Sequence, residues 1–435
     1  QLDRIGADTL IAVGQSTPNV TLEVSRGTNT TITAFIRGVG QQDPVAGFEA
    51  GIGLYVDDVY LNRPQAAVLD IYDVDRIEVL RGPQGTLYGR NTIGGAIKYV
   101  TKGLSEEPEA KIRASYGTAN QMDLVLTGST PLSDNFRVGG SIARLTRDGF
   151  GDNLNLPGVE NYNKDVLGGR FSMEWDVSDS FNLRLSGDFV QDDSDPKQGH
   201  RLTVGAVSGA PILDDVFDTR AGLNSPTQKV EASGVALTAE WTLSDSLTLR
   251  NILSQRQDDT TTPIDFDSLP VVDLDVPAIY ENEQFSEELQ LIYESDRLSG
   301  VAGIYYLDAN AFNTFDVILA QLGDVLGLPG LNANTYGDVD TKSWAAYADF
   351  SYNVSDAVSL SLGGRYTVDE RTSRVLRTTY LGGASPDLGG TGTPLAVTSD
   401  FLGSREFTEF TPRVSVNWTP NDDQNLYVTY SEGFK

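Results

Sequence analysis

The sequence predicts a small α+β domain followed by an antiparallel β-barrel that spans a membrane. Three observations lead to this fold class. Apolar and polar residues alternate over stretches of about ten residues, which is typical of β-strands whose two faces meet different surroundings. A similar short turn sequence recurs between these stretches, and long polar segments lie at their other ends. Aromatic residues stand at a constant distance before several of the short turns.

The first part of the chain lacks this regular alternation and is predicted to form a small mixed domain. A short helix is predicted for residues 3–14, and the turn-forming sequence Ser16-Thr17-Pro18-Asn19 ends it. The acidic linker Ser105-Glu106-Glu107-Pro108-Glu109 follows this domain. We therefore divide the chain into a first domain at residues 1–105 and a strand-rich domain at 106–435. Four compact strands are predicted in the first domain, at residues 31–37, 53–60, 76–81 and 96–101.

About thirteen strands are predicted from residue 110 to the end of the sequence. In one of them, Phe171, Met173 and Trp175 share one face, and Arg170 and Glu174 share the other. Asp and Ser favour tight turns because their side chains bond to nearby backbone N–H groups. Short turns between consecutive strands are therefore predicted at residues 133–135, 178–180, 244–246, 295–297, 355–357 and 421–423.

Long polar segments are predicted at the opposite strand ends, at residues 148–163, 192–228, 258–282, 313–341 and 371–405. Short turns on one side and long segments on the other are typical of outer-membrane barrels. A soluble β-sandwich also alternates, so alternation alone leaves that fold open. Trp175, Trp241, Tyr352 and Trp418 each stand three residues before a short turn. Aromatic rings concentrate at membrane interfaces, and this placement favours the barrel.

Charge and composition exclude several classes of function. The net charge is −29, and a chain this acidic does not hold nucleic acid by general electrostatics. The chain has no cysteine and one histidine, His200. This excludes a thiol nucleophile, a disulfide scaffold and a zinc site built on cysteine or on paired histidines. No enzyme activity, cofactor or resident metal is predicted.

The densest motif runs from Asp73 to Ile97, with the sequence DVDRIEVLRGPQGTLYGRNTIGGAI. Its glycines permit tight turns and close approach of the backbone. A phosphate-binding P-loop requires Gly, four residues and then Gly-Lys-Ser/Thr. Here Gly85 and Gly89 are separated by three residues, and Arg90-Asn91 follows them. Nucleotide binding is therefore not predicted.

This motif resembles the plug domain of TonB-dependent outer-membrane receptors, as do two shorter ones, Phe35-Ile36-Arg37-Gly38-Val39-Gly40 and Leu54-Tyr55-Val56-Asp57-Asp58-Val59-Tyr60. The alternating strands and the stretch from Tyr427 to Lys435 look similar too, so the resemblance covers nearly the whole chain. It implies a plug domain at residues 1–105 inside a transmembrane antiparallel β-barrel of about 22 strands. It also implies import of a scarce ligand across the outer membrane of a Gram-negative bacterium, with energy relayed by the TonB complex.

The sequence departs from the family pattern in a few places. Asp58 stands where the family usually has glycine. Neither a signal peptide nor the TonB-contacting box is recognisable before the plug motifs. About thirteen strands are also fewer than the roughly 22 of the family. We therefore expect the chain to be truncated at both ends, with the segment that contacts TonB lying outside it.

The resemblance implies an anchoring role for three charged plug residues. Arg37, Glu78 and Arg81 match positions that help to pin the plug to the barrel wall through charged contacts. Barrel carboxylates such as Glu174 or Asp188 are available as partners. Hydrogen bonds within the plug are an equal alternative for these residues.

The resemblance also places the ligand at the apex of the plug, near residues 41–48 and 61–67. Polar side chains in these loops are candidates for ligand contact. The alternative is that they are solvated loop residues with no such role. The predicted contacts are Gln41, Gln42, Arg63 and Gln65.

Three classes of function compete, and an energised uptake receptor is favoured. A passive porin shares the barrel features but has no need of a plug, and an outer-membrane enzyme needs a catalytic constellation that this chain lacks. The expected ligand is an intact iron chelate such as a ferric siderophore; vitamin B12 and saccharides are alternatives. The expected partners are the TonB energy-coupling complex, the ligand, and outer-membrane lipid and lipopolysaccharide, without nucleic acid.

Two loop features complete the sequence-based expectations. The apolar residues of segment 315–326 have helical spacing, which predicts a short helix that packs on its own loop, and a lid or a partner surface is the alternative. The acidic residues Asp265, Asp267, Asp273 and Asp275 are predicted to form a solvated face. Binding of divalent cations between lipopolysaccharide phosphates is the alternative for these carboxylates.

Overall fold

The structure, a computed structural model, describes residues 9–25, 27–28, 30–67, 74–205 and 208–435. In its first domain, these residues form one helix and seven short strands. The elements are α1 (Leu10–Ser16), β1 (Val20–Val24), β2 (Ile32–Ile36), β3 (Val39–Gln41), β4 (Ile52–Val56), β5 (Val59–Leu61), β6 (Val74–Arg81) and β7 (Gly95–Thr101). A three-stranded sheet has the order β1-β2-β3, and a four-stranded sheet has the order β5-β4-β7-β6. We call this domain the plug.

The plug has an ordinary apolar core. Strands of both small sheets bury their branched side chains in one cluster, which includes Val20, Ile36, Ile52 and Ile97. Ile77 and Val79 of β6 pack against it. Burial of a branched aliphatic side chain stabilises a fold by about 1.5–3 kcal/mol, so this cluster holds the two sheets together.

Two predicted elements of the plug differ from the structure. The strand predicted over residues 53–60 is a hairpin of β4 and β5, because the chain turns at Asp57 and Asp58. Asp57 has a φ of 54°, a conformation that Asp tolerates in tight turns. Its carboxylate also accepts a bond of 2.8 Å from the N–H of Thr101. The predicted helix is found at Leu10–Ser16, and residues 1–8 lie outside the described residues.

The second domain is dominated by one antiparallel sheet of 13 strands, which we call the sheet. Strands that are adjacent in the sheet are consecutive in the sequence, with one exception: β10 pairs with β13. The loop between these two strands contains a two-stranded ribbon of β11 (Gly151–Asp152) and β12 (Glu160–Asn161). The division predicted at residue 105 falls between the end of β7 and the start of β8, and it remains a prediction. The sheet strands are β8 (Glu109–Tyr116), β9 (Met122–Ser133), β10 (Phe136–Arg147), β13 (Lys164–Ser178), β14 (Phe181–Asp192), β15 (Lys229–Ser244), β16 (Leu247–Asp265), β17 (Asp275–Glu294), β18 (Leu298–Ile318), β19 (Asn332–Ser355), β20 (Val358–Leu381), β21 (Thr393–Asn421) and β22 (Gln424–Ser431).

The strand number and the short turns agree with the sequence-based prediction, whereas three of the long segments do not. Each of the six predicted turns joins two strands that pair antiparallel. In segments 258–282, 313–341 and 371–405, however, the strands continue for many residues before the chain turns. Strands of 24 residues extend about 80 Å at 3.3 Å per residue, well beyond the membrane, where both faces are polar and alternation disappears.

The sheet exposes its apolar face and turns its polar face inward. Phe171, Met173 and Trp175 of β13 are all more than a third exposed. On the other face of the same strand, Arg170 contacts the plug residue Tyr99. Two packed sheets would bury the apolar faces against each other, so the sandwich alternative is wrong. The four aromatic residues predicted at the interface also lie on the exposed face.

The predicted loop helix is present but shorter than expected. It spans Ala320–Leu326 and is labelled α2 here, while Phe315 belongs to β18. The prediction that it packs on its own loop is wrong for its apolar residues, because Leu322 and Val325 are 48% and 82% exposed. No α-helix in the described part of the chain is long and apolar enough to cross a membrane.

Candidate functional site: the contact between plug and sheet

Two arginines and two carboxylates form a closed ring of ion pairs where the plug meets β20. Arg90 and Glu49 belong to the plug, and Asp369 and Arg371 belong to β20. The N–O distances are 3.4 Å for Arg90–Asp369, 2.8 Å for Arg371–Asp369, 3.2 Å for Arg371–Glu49 and 4.0 Å for Arg90–Glu49. Each charge therefore faces two charges of opposite sign. We call these four residues the ion-pair ring.

The ion-pair ring is shielded from water, which makes its charge balance important. Glu49, Arg90 and Asp369 are buried, and Arg371 is mostly so. Burial raises the pKa of Glu49, but the positive charges of Arg90, Arg371 and Arg63 outweigh this effect and hold its pKa below the ordinary value of 4.5. Removal of one partner from a buried ion pair costs about 3–5 kcal/mol, because the other charge is left uncompensated.

Neutral plug side chains complete the hydrogen bonds of the ring. The guanidinium of Arg90 donates to Oδ1 of Asn62. Nδ2 of Asn91 donates to the carboxylate of Glu49 and, at 3.0 Å, to the hydroxyl of Tyr60. These contacts fix the ring's side chains from the plug side, so the plug presents a preformed partner to β20.

Two sheet side chains bind the backbone of the plug directly. Gln284 of β17 donates to the carbonyl of Tyr60 at 2.7 Å and accepts from the N–H of Asn62 at 2.8 Å. Asn313 of β18 accepts from the N–H of Ala46 at 2.8 Å. The sheet therefore supplies hydrogen-bond partners that the plug backbone lacks within its own fold.

Two sheet arginines contact the plug on the side of the short turns. The guanidinium of Arg170 lies 4.6 Å from the ring centroid of Tyr99 and donates to the hydroxyl of that residue at 2.9 Å. Arg184 donates to Oγ1 of Thr101 at 2.9 Å. Hydrogen bonds therefore link plug and sheet at both ends of the contact, and at the apex end Val45 and Ala46 also pack on apolar side chains of the sheet.

Arg63 and Gln65, which were predicted to contact a ligand, are buried and bind the neighbouring apex loop. The guanidinium of Arg63 donates to the carbonyls of Pro44, Val45 at 2.7 Å and Phe48 at 3.3 Å. Gln65 donates to the carbonyl of Pro44 at 3.1 Å. These side chains hold the shape of loop 42–49, and direct ligand contact by either remains a prediction.

Gln41 and Gln42 lie at the start of the same loop. Oε1 of Gln41 accepts from the N–H groups of Gln42 and Asp43, at 2.9 and 3.2 Å, and the side chain of Gln42 is exposed. The structure therefore brings all four predicted ligand residues together around one loop. Their contact with a ligand remains a prediction.

The three predicted anchoring residues lie on the surface of the plug. Glu78 pairs with Arg76 at 2.7 Å, and Arg81 donates to the carbonyl of Pro18 at 3.4 Å. Arg37 is exposed and forms no ion pair within the described ranges. The contacts described for Glu78 and Arg81 are internal to the plug, and the anchoring role of all three remains a prediction.

The sheet carboxylates that were considered as their partners are bound by sheet arginines. Asp188 forms two bonds with Arg256, at 2.7 and 2.8 Å. Glu174 lies 3.6 Å from Arg137 and 3.8 Å from Arg184. Both carboxylates therefore have their charge compensated within the sheet.

The cavities that flank the contact differ in size, and one of about 230 Å³ lies beside Asp57 and Arg184. The cavity at the plug apex, beside Arg63 and Gln65, measures only about 50 Å³. A third cavity of about 470 Å³ extends from the ion-pair ring towards the short turn at 295–297. Drug-sized ligands occupy pockets of about 300–1,000 Å³, so of these three only the third cavity reaches that range. Its walls include Tyr55, Tyr60, Tyr88, Tyr305 and Tyr347.

The ion-pair ring was not predicted from the sequence, although part of its signal is present there. Asp369 and Arg371 are two residues apart in a strand, so their side chains share one face. Opposite charges on the inward face of a barrel strand indicate a polar partner. That partner, Arg90, lies 279 residues from Asp369 in the chain, and no local pattern connects residues so far apart.

Two family models match the chain. The one described as TonB-dependent Receptor Plug Domain matches residues 1–96. The one described as TonB dependent receptor-like, beta-barrel matches residues 174–435, which is more than half of the chain. These ranges correspond to the plug and to most strands of the sheet.

Curated relatives and solved structures point to the same fold. The chain is 24% identical over 420 residues to the pesticin receptor of Yersinia enterocolitica, covering 93% of this chain and 55% of the relative. It is 26% identical over 356 residues to the rhizobactin receptor of Rhizobium meliloti, covering 72% and 45%. The crystal structure of the ferric yersiniabactin uptake receptor of Yersinia pestis matches with a TM-score of 0.78 at 18% identity, covering 98% of this chain and 62% of that one. The chain spans about half the length of these curated relatives.

Proposed function

Because this chain belongs to the TonB-dependent receptor family, we propose that it serves the energised uptake of a scarce ligand across the outer membrane of a Gram-negative bacterium. A TonB energy-coupling complex is the proposed partner on the periplasmic side. Outer-membrane lipid and lipopolysaccharide are the proposed surroundings of the exposed apolar face. In this proposal the plug comprises residues 1–105 and the barrel region 106–435.

The ion-pair ring is the observation that carries the proposal. It fastens the plug to the polar inner face of the sheet, where a passive channel would need open water. The plug cannot leave this face of the sheet until the ion pairs between it and β20 are separated, and we propose that this step is driven by external work. A TonB-type partner supplies such work, whereas a porin needs none.

An iron chelate, such as a ferric siderophore, is the proposed ligand. Two observations support this class: relatives include receptors named for rhizobactin and ferrioxamine B, and a similar fold belongs to a ferric yersiniabactin uptake receptor. The chain also has no cysteine and one histidine, which suits an intact chelate better than a bare soft metal. A vitamin B12 transporter matches over only 43% of the chain, so cobalamin is the alternative to test against.

We place the ligand on the outer side of the apex loop, at Gln41 and Gln42. The side chain of Gln42 is exposed there, whereas Arg63 and Gln65 support the loop from below. The cavity beneath the loop is too small for a chelate, so passage requires the plug to move. A separate proposal is that Arg37, Glu78 and Arg81 help to anchor the plug to the barrel wall.

Uptake by the full-length protein in its host tests the energised mechanism. Cells receive a radiolabelled ferric siderophore with and without a protonophore. We expect surface binding to persist and accumulation to stop when the proton gradient collapses. Accumulation that is indifferent to the protonophore and to deletion of the plug would instead make the protein a passive channel.

Competition in the same cells tests the ligand class and its site. Unlabelled ferric siderophores are expected to displace the label, whereas cobalamin and oligosaccharides are not. Gln42→Ala is expected to weaken binding about tenfold, and Gln424→Ala, at a short turn on the opposite side, serves as the matched control. Displacement of the label by cobalamin alone would mean that cobalamin is the ligand. Equal binding by both variants would mean that Gln42 does not contact the ligand.

A further inference from the structure

Three carboxylates converge at the far end of the hairpin formed by β16 and β17. Asp265 is the last residue of β16, Asp275 is the first residue of β17, and the two are directly opposite each other in the ladder. Asp267 lies in the loop between them. One carboxylate oxygen from each residue lies within 4.8 Å of the others. The acidic residues were expected to form a solvated face, but two of the three are buried.

The carboxylate of Asp275 has no hydrogen-bond partner among the residues that the structure describes. Its side chain is 0% exposed, and neither Oδ1 nor Oδ2 accepts a hydrogen bond. Asp265, which faces it, accepts bonds from the N–H groups of Gly222, Leu223 and Ser268. A buried carboxylate without donors is among the least favourable groups in a protein interior, and such groups usually have a partner.

The three carboxylates lack an ion-pair partner within the described ranges. No Lys, Arg or His there forms an ion pair with Asp265, Asp267 or Asp275. Arg201 comes near, but its guanidinium donates to the backbone carbonyl of Asp267 at 2.6 Å. Like charges directly opposite each other in a ladder also destabilise the strands that carry them. The cluster therefore combines close carboxylate oxygens with a deficit of positive charge.

We propose that Asp265, Asp267 and Asp275 bind a calcium ion. Calcium takes six to eight oxygen ligands at about 2.3–2.6 Å, so oxygens that share one ion lie at most about 5.2 Å apart. Oxygens that all lie within 4.8 Å of one another meet this limit. Zinc sites use mainly sulfur and nitrogen ligands, and magnesium keeps most of its waters, so three converging carboxylates, two of them buried, favour calcium. Water and backbone carbonyls would complete the coordination.

The ion would join two long loops of the sheet through Asp265. The carboxylate of this residue reaches the backbone N–H groups of Gly222 and Leu223, which lie in the loop between β14 and β15. Both of these bonds go to Oδ2, whereas Oδ1 accepts one bond, from Ser268, and keeps a second lone pair for an ion. Calcium would therefore fasten this loop to the β16–β17 hairpin. This inference does not depend on the proposed transport function.

Calcium titration of the purified full-length protein in detergent tests the site. The protein is first stripped with a chelator, and binding is followed by calorimetry with Ca²⁺ and by luminescence of Tb³⁺. We expect one site with a Kd of about 10⁻⁴–10⁻³ M, a range typical of extracellular calcium modules. We also expect Ca²⁺ to raise the melting temperature of the wild type and to slow tryptic cleavage after Arg220.

Asp275→Asn is the decisive variant, and Asp214→Asn is its matched control. Asp214 is an exposed carboxylate of the loop between β14 and β15. Asp275→Asn is expected to lose the Ca²⁺-dependent gain in melting temperature and the protection of Arg220, while Asp214→Asn retains both. Equal responses to Ca²⁺ by the wild type and Asp275→Asn would overturn the proposal, because the ion would then bind elsewhere. A wild type that ignores Ca²⁺ while Asp275→Asn melts at a higher temperature would also overturn it, by showing an uncompensated acidic cluster.

Discussion

The plug and the sheet place their apolar side chains on opposite sides. In the plug, Ile36 and Ile97 are 0% and 1% exposed. In the sheet, Phe171 and Trp241 are 42% and 50% exposed, and the polar face turns to the plug. The sheet strands alternate with a period of two, and that pattern alone does not say which of their faces is inside. The plug buries its apolar residues, as a domain in water does, and the sheet exposes its apolar residues, as a barrel wall in lipid does.

This difference explains why the contact between the two regions is largely polar. The plug has used most of its apolar residues in its own core, and the sheet has turned most of its apolar residues outward. Between them lie the ion-pair ring, Gln284, Asn313 and the sheet arginines, together with a small apolar contact of Val45 and Ala46 with the sheet. The polar contacts are directional, and water replaces them at a smaller cost than it replaces an apolar interface. Such a contact holds the plug in place without an applied force and allows it to separate from the sheet when a force is applied.

Replacement of Arg90 by methionine is expected to have the largest effect on this contact. The substitution leaves Glu49 and Asp369 with only Arg371 between them, at a cost of about 3–5 kcal/mol to plug docking. We expect the full-length variant to show current through planar bilayers that the wild type lacks. We also expect faster hydrogen exchange of residues 89–92.

A second substitution that restores the charge balance serves as the control. In Arg90→Met with Asp369→Asn, Glu49 and Arg371 remain as a compensated pair. This double variant is expected to recover most of the loss. Wild-type conductance and exchange in Arg90→Met alone would show that the ring does not hold the plug.

An arginine on the outer face of the sheet is expected to have the next largest effect. Leu237 of β15 is exposed between Leu185 and Leu253 of the neighbouring strands. Leu237→Arg is expected to destabilise the barrel in lipid by about 2–4 kcal/mol, because the charge lies near the middle of the bilayer. Unfolding by denaturant in lipid vesicles measures it. Thr238→Arg, on the inner face, is expected to cost little, and equal effects would contradict the assignment of faces.

Arg63→Lys is expected to have a smaller, local effect on the apex loop. The ammonium of lysine cannot replace the planar guanidinium of Arg63, which donates to several carbonyls at once. The free energy of local opening of residues 44–48 is expected to fall by about 1.5–3 kcal/mol, as measured by hydrogen exchange. Arg81→Lys, on the plug surface, is the control. Weaker ligand binding without a change in exchange would instead make Arg63 a direct contact.

The sequence predicted what is local and missed what depends on distant partners. The turns at Ser178 and Ser355 follow from side chains that bond to their own backbone, and the strands between turns follow from alternation. The strands of segments 258–282 and 371–405 were missed because these segments are rich in polar residues and show no clear alternation. Gln284 binds the backbone 222 residues away, so its partner depends on how the sheet surrounds the plug.

Acidification is expected to have the smallest effect, and it tests the charge balance of the ring without a mutation. The positive charges around Glu49 hold its pKa below the ordinary value of 4.5, although burial alone would raise it. A group whose pKa is lower in the folded state stabilises that state above its unfolded pKa, and the contribution is lost as the pH falls through the folded value. Plug docking is therefore expected to be constant from about pH 8 to 5 and to weaken only below about pH 4.5. Hydrogen exchange of Asn91 is measured at each pH in the full-length wild type and in Glu49→Gln. Glutamine does not titrate, so the difference between the two proteins reports the contribution of Glu49 alone. If the difference in exchange between the wild type and Glu49→Gln already changes between pH 7 and 5.5, the effect of burial on the pKa of Glu49 outweighs that of the arginines. The ion-pair ring would then hold the plug less firmly than the core of either region holds that region together.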